Sequence, residues 1–335
     1  MNIRETMEQW ERQNLSPYAS LSSETLGRDR EEPLCDIRPA YQRDRDRILH
    51  SKSFRRLKDK TQVFLAPEGD HYRTRLTHTL EVSQIARTIA KALRMNESLT
   101  EAIALGHDLG HTPFGHAGEY ILNEICEDGF AHYKQSVRVV EILEKKGQGL
   151  NLTKEVRDGM LNHRTSGNPA TMEGKIVRFS DKIAYINHDI DDAIRGKIIT
   201  ERDIPREYAD VLGDTVKDRL NIMIHDIINN SMDKPSIFMS PDVERAMRGL
   251  REWMFEHVYR NPAAKGEEGR AQQLIVTLYE YYLKHVDELP EEYLAMMELR
   301  GENGERVVCD YIAGMSDGYA IDRFEELFVP KGWNV

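Results

Sequence analysis

The stretch of sequence that decides the fold is His107-Asp108-Leu109-Gly110-His111-Thr112-Pro113-Phe114-Gly115-His116-Ala117-Gly118-Glu119. Four apolar residues at 102–105 precede it and predict a buried helix that carries the first histidine and aspartate at its end. Gly110 and Pro113 should stop that helix, because glycine loosens the backbone and proline lacks an amide donor. A histidine and an aspartate side by side can supply a nitrogen and an oxygen ligand to one ion. The stretch therefore predicts a metal site, in preference to a polar loop with incidental histidines.

Two other segments can add ligands to this cluster. His78 is followed at helical spacing by apolar residues at positions 82, 85, 89 and 93, so it begins a buried stripe. In a long helix predicted over 174–195, Asp181, Tyr185 and Asp189 recur every four residues and project along one side. Isoleucines at 183, 186 and 190 take the buried side of that helix. A carboxylate among apolar residues is costly unless it is paired or bound to metal, so Asp181 becomes a ligand candidate.

The cluster thus offers two nitrogen and two oxygen ligands from three predicted helices, namely His78, His107, Asp108 and Asp181. Four protein ligands leave room on an octahedral ion for water and a substrate oxygen. Such an ion can lower the pKa of bound water and offset the charge of a phosphate. Beside the cluster, His116 and Glu119 stand three residues apart. A carboxylate that fixes the tautomer of an imidazole suits general acid/base catalysis.

The rest of the chain also has helical periodicity, and no alternating strand pattern of useful length occurs. The prediction is an all-α fold with a helical core over 41–200 that contains the metal site. A helical C-terminal region, 201–335, should pack on this core, and the polar residues 1–40 should form a loosely structured arm. Helices are predicted over 44–57, 134–146, 211–228, 242–259, 271–286 and 310–328, and a loop or short hairpin over 61–70.

Composition limits the functional class. The 335 residues carry a formal net charge of −11, which argues against a protein that coats nucleic acid. No run approaches the roughly 18 apolar residues needed to cross a bilayer, and residues 1–6 lack an apolar signal region. A cytoplasmic protein without membrane contact is therefore expected. The three cysteines lie far apart and suggest neither a disulfide framework nor a zinc knuckle.

Positive charge is concentrated in one short region, from Arg43 to Arg75, which contains ten basic residues and few acids. A solvated basic face explains this concentration as well as a binding site for a small polyphosphate does. The second interpretation gains interest because the region also precedes the first candidate ligand, His78.

The candidate ligands resemble the signature of the HD phosphohydrolase superfamily. More closely, the chain resembles its deoxynucleoside triphosphate triphosphohydrolases, the dGTPase-like branch. The matching segments are Phe54 to Phe64, Arg73 to His78, His107 to Glu119, Asp181 to Tyr185 with Asp189, and Tyr311 to Asp317. Together they run over most of the chain, and the combination is far more specific than a bare His-Asp doublet.

The resemblance implies a role for each matching residue. His78, His107, Asp108 and Asp181 would hold one divalent ion, whose identity (Mg, Mn, Co, Fe, Ni or Zn) the sequence leaves open. His116 and Glu119 would be the catalytic pair. Contacts to the triphosphate would come from Arg75, His111, His132 and Lys182. Tyr185 would pack on the sugar, Asp189 would accept from its 3′-hydroxyl, and Leu57 would lie near C2′. The resemblance further implies a homo-oligomer and allows an activating nucleotide.

The chain departs from the family pattern at Gly318, where the family commonly places a large residue, often arginine. Its C-terminal portion is also shorter than in some members. Other interpretations stay open beside hydrolysis of dNTPs to deoxynucleoside and tripolyphosphate. One is an HD-type phosphatase or phosphodiesterase acting on another nucleotide, and another is a nucleotide-binding regulator without catalysis. Binding of single-stranded nucleic acid through the basic region is disfavoured by the acidic balance.

Overall fold

The computed structural model describes residues 1–62, 73–259 and 267–332. Within these ranges the chain is helical without a β-strand, apart from an isolated bridge between Thr61 and Thr74. The helices in chain order are α1 (Ile3–Asn14), α2 (Ala40–Leu49), α3 (Lys52–Arg56), α4 (Arg75–Ala92), α5 (Glu97–Gly106), α6 (Gly115–Ile125), α7 (His132–Arg138), α8 (Glu144–Gly147), α9 (Lys154–Leu161), α10 (Met172–Arg195), α11 (Arg206–Leu212), α12 (Val216–Ser231), α13 (Pro241–Met254), α14 (Glu268–Lys284), α15 (Glu291–Arg300), α16 (Gly304–Ala313) and α17 (Asp317–Phe328). The predicted all-α class is confirmed.

The larger hydrophobic core is built around α4, α5 and α10. α10 and α5 both pack on α4, and α2 packs on α5. Val82, Ile103 and Ile183, one from each of these three helices, are completely buried. The isoleucines at 186 and 190 are buried as well, as the periodicity of α10 predicted. This core therefore fixes the spacing of the three helices that carry the candidate metal ligands.

A second core joins α6 to the C-terminal helices. Leu122 of α6 packs with Ile275 of α14 and Val308 of α16, and all three side chains are completely buried. α11, α12 and α13 instead contribute to the first core. The C-terminal region is thus divided between the two cores, and its second half packs against the helix that carries Glu119. The domain boundaries at 40 and 200 stay a prediction.

The expectation that residues 1–40 are loosely structured is wrong. They contain α1, and buried carboxylates of the core hold the segment that follows it. Glu173 accepts hydrogen bonds from the backbone N–H and the hydroxyl of Ser20, each at 3.0 Å. Glu155 accepts from the Leu26 N–H at 2.6 Å and from the Thr25 hydroxyl at 2.9 Å. The hydroxyl and backbone N–H groups of this segment are the donors that satisfy these buried acids.

Serine caps divide two of the predicted long helices. The helix expected over 44–57 ends at Leu49, and α3 starts after Ser51, whose hydroxyl accepts from the Phe54 N–H at 3.1 Å. The helix expected over 310–328 is interrupted in the same way by Ser316, the N-cap of α17. The predicted loop over 61–70 lies outside the described residues from position 63 onward. None of the helices described here is both long and apolar enough to cross a membrane.

Candidate metal centre and active site

The structure brings the four predicted metal ligands together from α4, the end of α5, and α10. Oδ1 of Asp181 lies 3.2 Å from Nε2 of His78 and 3.7 Å from Nε2 of His107. Oδ1 of Asp108 lies 3.3 Å from the same His107 nitrogen. Ligand atoms about 2.1 Å from one ion are separated by about 3.0 Å in an octahedron and about 3.4 Å in a tetrahedron. These three separations are compatible with one ion. The ligand atoms of His78, His107 and Asp108 all lie within 4.8 Å of one another, and Asp181 adjoins this group through the two imidazoles.

The local fold prepares His107 to be a ligand. It follows the last residue of α5, and its Nδ1 donates to the Ala104 carbonyl at 2.7 Å. That hydrogen bond assigns an N–H to Nδ1, so Nε2, once deprotonated, is the nitrogen that would bind an ion. This buried Nε2 has no hydrogen-bond partner among the described residues. An orphaned imidazole nitrogen facing two carboxylates is the donor set expected for a divalent ion.

The electrostatics of the protein side chains also match a cation site. Burial disfavours a charged imidazole at His107, but Asp108 and Asp181 outweigh it and raise the pKa of His107 to about 9. Burial likewise opposes charge on Asp181, and the neighbouring His107 and His78 imidazoles lower its pKa nonetheless. The cluster therefore stabilises positive charge at its centre, which a divalent ion would supply.

Arg75 and His111 surround the outer side of Asp108. The Arg75 guanidinium is buried and donates to Oδ2 of Asp108 at 2.7 Å. Nε2 of His111 lies 3.3 Å from Oδ1 of the same carboxylate. Burial, Arg75 and the neighbouring His132 lower the pKa of His111, so this imidazole is neutral. Arg75 and His111, two of the four predicted triphosphate contacts, thus lie beside the metal cluster. Arg75 is already hydrogen-bonded to Asp108.

Glu119 is paired with His132, whereas His116 stands apart. Nδ1 of His132 lies 2.8 Å from Oε1 of Glu119, and the His132 backbone N–H donates to the same oxygen at 2.9 Å. Nδ1 of His116 is 3.8 Å from Oε2, and its side chain is 76% exposed. Burial would raise the pKa of Glu119, but the neighbouring imidazoles of His116 and His132 lower it, so the carboxylate is ionised. The predicted pair is close in space but not hydrogen-bonded.

His163, which was not among the candidate site residues, lies beside the metal cluster. Its ring lies 5.0 Å from that of His107, and its Nε2 is 3.3 Å from Nε2 of His132. Nδ1 donates to the Met160 carbonyl at 2.6 Å, and burial together with His107 and His132 lowers the pKa of His163 to about 4. A neutral His163 therefore presents an acceptor nitrogen to His132. Its position just after the end of α9 could have identified it as a candidate site residue.

The predicted sugar-binding face runs along α10 away from Asp181. Tyr185 has a buried hydroxyl that lacks a hydrogen-bond partner within the described ranges, and the Arg251 guanidinium lies 6.0 Å from its ring. Asp189 is buried and accepts a hydrogen bond from the Tyr259 hydroxyl. Arg251 and Tyr259 carried no signal in the sequence analysis, since they belong to a distant helical segment.

Lys182 and Leu57 have contrasting environments. The Lys182 ammonium lies 5.6 Å from the ring centre of Phe179, and burial and Arg178 lower its pKa to about 8. A desolvated ammonium of this kind gains from an anionic ligand. Leu57 is completely buried in the larger hydrophobic core. Its predicted place near a sugar C2′ stays a prediction.

Most of the basic region has partners within the fold. Arg47 pairs with Glu32 at 2.6 Å, and Arg73 pairs with Asp191 at 2.8 Å. The Lys60 ammonium is buried and donates to the Ala313 carbonyl at 2.9 Å. These contacts favour structural roles for these three residues over a freely accessible polyphosphate site.

A pH-dependent stability is expected from Asp189. Burial raises its pKa to about 7 in the folded chain, against about 4 when unfolded. The stability contributed by the protonated carboxyl is therefore complete below about pH 4 and is lost as pH rises through 7. In metal-free protein, Asp189→Asn should raise the free energy of unfolding by about 2 kcal/mol more at pH 8.5 than at pH 5. Thermal denaturation measures this, with Asp210→Asn as an exposed control, and equal gains at both pH values would refute it.

Gly110 lets α7 pack closely against residues 107–114, the metal loop between α5 and α6. A Cβ atom at this position would lie 2.1 Å from the Ser136 nitrogen and 2.5 Å from the His132 oxygen, and both are backbone atoms. Gly110→Ala should therefore destabilise the fold by about 1–3 kcal/mol, because α7 has to move. Gly318→Ala is the control, since nothing lies within 4 Å of that position in α17. Chemical denaturation should show a loss for the first variant only, and an unchanged midpoint for Gly110→Ala would contradict the packing.

Known protein families match two segments of the chain. The HD domain family matches residues 75–186, which include all four candidate ligands, and the phosphohydrolase-associated domain family matches residues 237–326. With the all-helical fold, these matches define the class of the protein as an HD-domain phosphohydrolase. Among solved structures, a hypothetical protein from Aquifex aeolicus is 20% identical, with a TM-score of 0.49 over 86% of this chain and 68% of its own.

Relatives narrow the class further. A deoxyguanosinetriphosphate triphosphohydrolase-like protein of Caldanaerobacter subterraneus subsp. tengcongensis is 57% identical over 99% of this chain and 98% of its own. Proteins described in the same words from Clostridium perfringens and Geobacter metallireducens are 48% and 40% identical, each over at least 96% of both chains. The chain belongs to this dGTPase-like family, as the sequence motifs indicated.

Proposed function

We propose that the protein hydrolyses deoxynucleoside triphosphates to deoxynucleoside and tripolyphosphate with one divalent ion. The observation that carries the proposal is the arrangement along α10, where Asp181 belongs to the metal cluster and Tyr185 and Asp189 follow on one side. An α-phosphate at the cluster would place the sugar beside these two side chains. The names of the dGTPase-like relatives support the same substrate class.

The four ligands are proposed to hold the ion, which would offset phosphate charge and lower the pKa of a bound water. Lys182 would balance the charge of the triphosphate, because its ammonium is already partly desolvated. His111 and His132 would contact the triphosphate with their stacked rings, whose centres are 4.0 Å apart. Arg75 would contact the triphosphate with its guanidinium, which Oδ2 of Asp108 holds in place.

For acid/base catalysis, we propose that His116 protonates the departing 5′-oxygen and that Glu119 orients the His116 imidazole. Glu119 can serve both imidazoles, since Oε1 is engaged by His132 while Oε2 faces His116. A shortening of about 1 Å would complete the second hydrogen bond, and catalytic hydrogen bonds are often long before substrate binds. The exposed His116 side chain has the freedom to make that movement.

The sugar contacts give a test that is specific to this substrate class. Tyr185 should close the space needed by a 2′-hydroxyl, and Asp189 should anchor the 3′-hydroxyl. We therefore expect dNTPs to be preferred over the matching NTPs and 2′,3′-dideoxynucleotides to be poor substrates. Tyr185→Ala should reduce the first preference, and Asp189→Ala should raise KM for dNTPs while narrowing the gap to dideoxy substrates. Leu57→Ala should also relax discrimination at C2′ if Leu57 lies where the family implies.

The measurement is a set of initial rates for dGTP, GTP and dideoxy-GTP with Mg²⁺, Mn²⁺ or Co²⁺. Equal turnover of dGTP and GTP by the unmodified protein would contradict the proposal. Testing the four dNTPs singly and mixed also addresses an activating nucleotide, because activity in mixtures alone would require a second site. The homo-oligomer is a further proposal, which light scattering of the purified protein tests directly.

A further inference from the structure

Asp317, at the start of α17, forms a three-point contact with two distant segments. Its Oδ1 accepts a hydrogen bond from the Phe114 backbone N–H at 2.9 Å. Its Oδ2 accepts from the Thr61 backbone N–H at 2.9 Å and also from the Thr61 hydroxyl. One carboxylate from the phosphohydrolase-associated segment thus joins Thr61, which precedes His78, to the loop that follows His107 and Asp108.

Phe114 is the point in this loop where such a contact matters. It has φ 62°, and Gly115 after it has φ 56°, so two consecutive residues adopt the left-handed region. A side chain such as that of phenylalanine resists this conformation, which persists only where surrounding contacts enforce it. α6 starts at Gly115 and carries Glu119 one turn later. The backbone at Phe114 therefore sets the position of that helix.

Neighbouring contacts join the same two segments to the turn that precedes α17. Lys60 donates through its buried ammonium to the His111 carbonyl and to the Ala313 carbonyl. Arg56 donates to the Gly314 carbonyl at 2.7 Å. These hydrogen bonds fix the position of the turn relative to the metal loop. Asp317 is the residue of this group that contacts Phe114 itself.

We infer that Asp317 is a positioning residue for the active site, which holds the Phe114–Gly115 turn so that Glu119 meets His132. The inference gives the phosphohydrolase-associated segment a role in catalysis beyond packing. It rests on the proposed function for its kinetic consequence, although its structural consequence, the Glu119–His132 hydrogen bond, can be measured without any substrate.

The experiment compares Asp317→Ala with two controls on the same helix. Ser316→Ala removes the N-cap, whose hydroxyl accepts from the Tyr319 N–H, and so weakens α17 without touching Phe114. Asp322→Ala removes an exposed carboxylate of α17. Each variant is measured for kcat and KM, for bound Mn²⁺, and by proton NMR for the downfield Nδ1–H of His132 in its hydrogen bond to Glu119. His132→Gln assigns that signal.

Asp317→Ala should lose the downfield signal and at least tenfold in kcat, while it retains bound Mn²⁺ and a KM within about threefold of wild type. Both controls should keep the signal and the rate. If Asp317→Ala does not fold, Asp317→Asn replaces it, since its amide nitrogen cannot accept from Thr61, and an intermediate loss is expected. The inference is overturned if the signal persists without Asp317 or if Ser316→Ala loses as much rate. Loss of the signal in a protein that never hydrolyses dNTPs would uphold the positioning role and refute the proposed function instead.

Discussion

Asp181→Ala should leave a folded protein that neither retains a divalent ion nor turns over dNTPs. Asp181 supplies an oxygen within 3.2 Å of His78 and 3.7 Å of His107, so its removal opens one side of the cluster. Loss of an outer contact alone typically costs 10–100-fold in metal affinity, and loss of a direct ligand should exceed about 100-fold. Metal content after gel filtration and the rate with saturating dGTP measure the two effects.

Asp210→Ala provides the matched control, because Asp210 is an exposed aspartate paired with Arg206 on α11. It should keep both metal and activity. His107→Ala should behave like Asp181→Ala, since its orphaned Nε2 belongs to the same cluster. A variant of either ligand that retained stoichiometric metal and near-wild-type activity would remove that residue from the site.

His116→Ala should lower kcat by roughly 10²–10⁴-fold and leave KM near its original value. The ion cluster and the phosphate contacts do not involve His116, so substrate binding should survive its loss. Glu119→Gln should give a smaller loss in kcat with a shifted pH profile. His132→Ala should mainly raise KM, because His132 is the proposed phosphate contact. Steady-state kinetics across pH measure all three, with the exposed His225→Ala on α12 as control.

If the effects on kcat and KM were exchanged between the His116 and His132 variants, the general acid would be His132. Glu119 accepts its short hydrogen bond from His132, so His132 is the alternative imidazole. If His132→Ala abolishes kcat while His116→Ala only weakens binding, His132 protonates the leaving group and His116 is a substrate contact.

The convergence of the four candidate ligands could be predicted from the sequence, because helical periodicity decides which helix faces are buried. That these residues bind a metal stays a prediction. The apolar face after His78 and the isoleucines of α10 specify which sides of α4 and α10 are buried together. Once those faces pack around α5, His78, His107 and Asp181 have to converge. The all-α class follows from the same regularity.

Contacts that depend on the path of a loop could not be predicted from the sequence. Glu119 meets His132 because the chain between α6 and α7 turns back and Gly110 allows α7 to touch the metal loop. Asp189 meets Tyr259 across 70 residues, and no local pattern encodes that distance. The expectation for residues 1–40 is wrong for a related reason, since their hydroxyl and backbone N–H groups find buried partners only in the folded chain.

The measurement that tests the central proposal most directly is hydrolysis of dGTP in ¹⁸O-labelled water, with both products analysed by mass spectrometry. If water attacks the α-phosphorus at the metal cluster, one ¹⁸O atom should appear in tripolyphosphate, and the deoxyguanosine should be unlabelled. The same reaction with Asp181→Ala should form neither product. Release of orthophosphate or pyrophosphate, or label in the 5′-hydroxyl of deoxyguanosine, would contradict the proposal.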